Sequence, residues 1–158
     1  GALQVKVFPA AQLGQEREAF GLLNTGVLDL SITSLGILDQ AYPALIADLD
    51  ERGLLDSTLV VVMGEMGRSP RINAKAGREH WPQCGFSLLT GGGIKPGMIY
   101  GSTDKIAAYP TSHPVSPGDV VATIYHLLGI DPEMTVPDRT GRPLPIAHGG
   151  QPIHDIIA

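Results

Sequence analysis

Glu65, Arg68, Arg78 and His80 are the residues of this 158-residue chain whose types and spacing could do chemistry. They stand in Gly64-Glu65-Met66-Gly67-Arg68-Ser69-Pro70-Arg71 and in Arg78-Glu79-His80-Trp81-Pro82. A carboxylate flanked by glycines and followed by arginines suits a divalent metal and an anion held together. Imidazole with carboxylate suits zinc or manganese. A metal site takes three or four protein ligands, so Glu65 and His80 supply only part of one. The plainer alternative makes Glu65 an exposed loop acid and His80 a packed or surface histidine.

Other chemical signals are weaker. Gly91-Gly92-Gly93-Ile94-Lys95 lacks the Gly-Lys-Ser/Thr ending of a phosphate loop and reads as a turn after a strand. His113 and His148 fall in loops facing solvent, and His126 falls within a helix, packed or capping. Cys84 reads as a small buried hydrophobe. No Gly-x-Ser-x-Gly elbow is present, and no catalytic nucleophile can be named.

The elements that must position these residues alternate between strand and helix. Leu3, Val5 and Val7 alternate with polar residues as a short strand, Gln12 to Leu23 reads as a helix, and Val27 to Ile32 as a second strand. From Leu38 to Arg52 apolar residues recur at helical spacing. Gly53 stands where a left-handed cap is wanted, and Pro43 should kink the helix or mark its first turn. Leu59 to Met63 is an unbroken apolar run of the kind buried on both faces of a parallel sheet, and Phe86 to Leu89 is a second buried strand. Ser116-Pro117-Gly118-Asp119 opens a helix that Gly129 ends. Beyond Asp131 the chain is rich in Pro and Gly and reads as an ordered wrap over the surface or a frayed tail. These readings predict an α/β fold: a three-layer sandwich with a mainly parallel sheet built from the Val5, Leu28, Val61 and Leu88 strands. Open sheets of that kind bind ligands at the carboxyl ends of their strands, where Glu65 and His80 would meet.

Composition narrows the partners. Hydrophobic residues make up 43% of the chain, enough for a core. Sixteen acids against eleven cations argue against nucleic acid. No apolar run reaches the roughly 18 residues of a membrane span. A single cysteine excludes a disulfide framework. Gly1 to Val7 does not read as a signal peptide.

Several stretches carry a family resemblance. They are Val60 to Pro70, Gly77 to Pro82, Gly91 to Lys95, Ala122 to Asp131, Pro137 to Pro143 and Gly149 to Ile153. Over about residues 35–153 the chain resembles the carboxyl end of the domain-of-unknown-function 1501 family, a bacterial family of the alkaline-phosphatase and sulfatase superfamily. That resemblance implies a metal-dependent hydrolase of phosphate or sulfate esters, with a small anionic ester as partner. It places Glu65 and His80 at metal-ligand positions and Arg68 and Arg78 where they would neutralise ester oxygens. Met66 stands where the phosphatases carry a second histidine ligand. The nucleophile segment and the Asp-Thr-His stretch of that superfamily are not found, so the chain is expected to be catalytically incomplete.

Residues 1–34, through Leu3 to Glu18 and Gly26 to Ser34, resemble instead the substrate-binding proteins of tripartite ATP-independent periplasmic transporters. The domain organisation expected is therefore a transporter-like β-α-β lead over 1–34 and an alkaline-phosphatase-like portion over 35–158. Both parent families imply a periplasmic or exported protein. Two other functions stay open: a solute-binding module for small carboxylates, and a structural fragment without ligand. An uncovered sheet edge could also join two copies into a homo-oligomer.

Overall fold

A computed structural model of the chain describes residues 38–158, with side chains from Tyr42 onward. The β-α-β lead expected over 1–34, with its Val5 and Leu28 strands, lies outside the described residues. The chain divides into two units, Gly1–Leu55 and Asp56–Ala158.

In the first unit the described element is helix α1, Leu38–Glu51. Its spacing of apolar residues buries Leu45 and Leu49, one turn apart. Pro43 lies within the helix, past the first turn, so one backbone hydrogen bond is forgone there. Leu54 N donates to Leu49 O and Gly53 N to Asp50 O, a closure that needs the left-handed φ of +66° at Gly53.

The second unit is built on paired strands and one helix. Strand β1, Val60–Met63, pairs with β4, Ser87–Thr90, and between them β2, Gly67–Arg68, pairs with β3, His80–Trp81. Short ribbons β5 (Ser102–Thr103) with β6 (Pro110–Ser112), and β7 (Thr135–Pro137) with β8 (Pro143–Pro145), complete the strands. Every ladder among the described residues is antiparallel and two-stranded.

The mixed helix-and-strand class holds, but the strands of Val61 and Leu88 are not parallel as expected. Val61 stands opposite Leu89 and Val62 opposite Leu88 in an antiparallel register. The reason lies in the connection: parallel strands need a crossover, usually helical, and residues 64–86 hold only the β2–β3 hairpin. Burial follows from this. Of the apolar run only Val62 is buried, while Met63 and Leu88 are 46% and 44% exposed. Phe86, expected in the second strand, precedes it and is exposed.

Helix α2, Pro117–Leu127, forms as its sequence requires. Ser116 Oγ accepts from Asp119 N, and the Asp119 carboxylate accepts from Ser116 N, a reciprocal capping box with Pro117 at the first turn. Gly129, at φ +73°, closes the far end. The helix buries Val120, Ala122 and Thr123, and Ala147 and Ile156 join them in the core.

Of the stretch after Asp131, read as a wrap or a frayed tail, residues 135–145 form the β7–β8 ribbon and residues 150–158 an ordered strap. This strap runs along α2 and then pairs with the stretch after β4. Gln151 N donates to Asp119 Oδ1 and Ile153 N to Thr123 Oγ1. Lys95 N donates to Ile156 O and Ala158 N to Gly93 O. Asp119, Thr123 and His126 lie four and then three residues apart, one stripe of the helix. The ring of His126 meets that of His154 edge-on at 5.3 Å.

Candidate anion and metal site

Arg68, Arg78 and His80 fall on one hairpin rather than on loops at the end of a parallel sheet, and Glu65 lies ahead of it. Arg68 of β2 stands directly opposite His80 of β3, and Gly67 opposite Trp81. Side chains of directly opposed residues share a face, and successive residues alternate faces. Trp81 belongs to the inner face: its indole N–H donates to Ala108 O at 2.6 Å and its ring meets Tyr109 edge-on. Arg68 and His80 therefore share the outer face, and both are exposed. Glu65, also exposed, lies in the link between β1 and β2.

Backbone packing explains why the hairpin starts with glycine. A Cβ at residue 67 would collide with the carbonyl of Cys84, so that strand approaches the following segment as only glycine allows. Cys84 itself is a free thiol, half-buried.

The loop between β2 and β3 is tied down by Ser69 and Asn73, which sequence reading did not single out. Ser69 N donates to Glu79 O, extending the ladder, and Ser69 Oγ accepts from Arg71 N. Asn73 Oδ1 accepts from both Lys75 N and Gly77 N, and its amide donates to the Glu79 carboxylate. The Asn73-to-Gly77 spacing was the available signal, since Asn side chains close such turns on their own backbone. Arg78 Nη1 donates to Ser69 O at 2.7 Å, so this arginine braces the loop while remaining exposed.

Metal coordination by Glu65 and His80 would need further ligands. Among the described residues no three His, Cys, Asp or Glu side chains are grouped to hold a metal ion. What the hairpin offers on its own is positive charge beside an imidazole, an arrangement for binding anions.

A cleft of about 320 Å³ lies away from the hairpin, lined by Tyr100, Asp119, Gln151 and Asp155 among others. Its carboxylates are occupied within the protein. Tyr100 Oη donates to Asp155, while Asp119 accepts from Gln151 N, Ser116 N and Ser116 Oγ. The Gln151 bond, with help from Ser116, holds the Asp119 carboxyl below its ordinary range against the opposing effect of burial. Asp138, in the β7–β8 turn, is lowered similarly by the Thr140 hydroxyl and the Arg142 and Thr140 backbone. A groove of about 470 Å³ follows α1 between Tyr42 and Leu55 and includes none of the expected site residues. His113 and His148 are exposed, as expected, whereas His126, expected to be packed or capping, is exposed in the last turn of α2.

Among the described residues, antiparallel ribbons and two α-helices define a mixed helix-and-strand architecture. Residues 30–157 match the family described as protein of unknown function (DUF1501), and the chain belongs to that family. No curated protein and no solved structure matches it. No helix among the described residues is long and apolar enough to cross a membrane.

Proposed function

We propose that residues 30–157 belong to a metal-dependent hydrolase of the alkaline-phosphatase and sulfatase kind, acting on small anionic esters of an exported compartment. In this reading Arg68 and Arg78 neutralise ester oxygens, and Glu65 with His80 contributes to a zinc or manganese site. The supporting observation is the β2–β3 ladder, which sets an arginine and a histidine side by side on an open face. The three-layer sandwich stays part of this reading, and the lead expected over 1–34 would be a transporter-like module whose last five residues the family match already covers. The stretch described supplies two candidate ligands and no identified nucleophile, so by itself it carries little or no turnover.

Elemental mass spectrometry tests the metal reading. The protein should hold zinc or manganese near one per chain, and the Glu65→Ala/His80→Ala variant should lose it. Absence of metal from both proteins would sink the reading. Metal-dependent cleavage of a nitrophenyl phosphate or sulfate, abolished in Glu65→Ala, would instead show a complete catalyst. A solute-binding module for carboxylates is the alternative reading, and a thermal shift with dicarboxylic acids together with indifference to metals would favour it.

A further inference from the structure

Residues 68–80 hold four of the chain's eleven cations, Arg68, Arg71, Lys75 and Arg78, against one of its sixteen acids, Glu79. All four are exposed, and none forms an ion pair among the described residues, where Arg52 and Arg142 do. Glu79, whose carboxylate accepts from the Asn73 amide, offsets one of these charges and leaves the stretch net positive. The backbone at Arg71 and Lys75 is fixed by Ser69 and Asn73, so these two are presented by an ordered loop. Like charges placed along one short hairpin repel one another, a cost that an anion spanning them relieves. Ordering them beforehand also lowers the entropy lost on binding.

Resting on the anion-binding reading of Arg68 and Arg78, we infer that the site extends along the loop to Arg71 and Lys75 and takes a linear chain of phosphates. Arginine forks suit phosphate oxygens, and the lysine adds a point charge. The remaining fifteen acids and seven cations make the rest of the molecule anionic, which repels a bulky acidic partner. A thin phosphate chain can lie on the hairpin and avoid that field. The affinity rests on charge and on guanidinium forks to phosphate oxygens, so a nucleoside at the end of the chain of phosphates adds little.

Titration calorimetry in metal-free, low-salt buffer tests this with orthophosphate, tripolyphosphate and ATP. Tripolyphosphate should bind about tenfold or more tightly than orthophosphate, ATP should match it, and added salt should weaken both. The Arg71→Gln/Lys75→Gln variant should bring tripolyphosphate down to the orthophosphate level. Lys105→Gln, outside the hairpin, should change nothing. If tripolyphosphate binds no tighter than orthophosphate while Arg68→Gln abolishes both, the extension is wrong and the smaller site stands. If neither anion binds the intact chain, both are wrong. Native-like circular dichroism of the double variant guards against reading misfolding as lost binding.

Discussion

Thr123 shows how one side chain can hold two segments together. It is fully buried, donates to Asp119 O at 2.7 Å and accepts from Ile153 N at 3.0 Å. Thr123→Val keeps the shape and removes the acceptor, leaving the Ile153 amide without its partner. Urea unfolding should show a loss on the order of 1–3 kcal/mol. Hydrogen exchange at Ile153 should quicken more than exchange within α2. Nothing in the sequence announces this role, because a threonine on the inner face of a helix reads as filler. Asp119 was legible as a cap through the Ser116-to-Asp119 spacing, yet its second bond, to Gln151, joins residues far apart in sequence. The site residues divide in the same way. Their types were legible, while the pairing of Arg68 with His80 came from a ladder of two-residue strands, too short to show any periodicity.

At the scale of elements, the strap is fastened to α2 by a group whose charge matters. Asp119 accepts its bonds best when ionised, so its folded value is held below the ordinary 3.8. A lowered carboxyl stabilises the fold at pH above 3.8, and that contribution is lost as pH falls through the folded value. Acid unfolding should therefore show a limb that begins near the ordinary carboxylate value and finishes below it. Asp119→Asn should flatten it while lowering stability at neutral pH, as followed by tryptophan fluorescence of Trp81. Helix ends were the most legible elements, since Ser116, Gly53 and Gly129 act through neighbours a few residues away. Strand direction was the least legible. An apolar run such as Val60 to Met63 fits a doubly covered parallel strand or one half of an antiparallel ribbon equally well, and only the path from 64 to 86 decides between them.

Across the whole molecule, the described core is made largely of small side chains, with much larger ones left outside. Ile99 is 91% exposed, Phe86 66% and Ile72 65%. Surface apolar groups of that number should bind a hydrophobic dye such as anilinonaphthalene sulfonate even in the folded state. Dye binding indistinguishable from that of a compact control protein would contradict these exposures. Limited proteolysis should leave a fragment covering Asp56–Ala158, because the strap and the β4 end protect one another. Early loss of the residues after Ile130, with the remainder intact, would show that the strap is not part of the stable unit.

The strap also gives this unit a timetable. A Cβ at Gly150 would collide with the backbone of Gly118, so the crossing closes only where residue 150 is a glycine. The partners of Gly93, Asp119 and Thr123 are all made after that crossing, the last of them at residue 158. On a ribosome adding about 5–20 residues per second, the Gly93 carbonyl waits on the order of 3–13 s for its donor. Throughout that interval the stretch after β4 is an open strand edge on a growing chain, and any chaperone that serves this protein in synthesis would find it there.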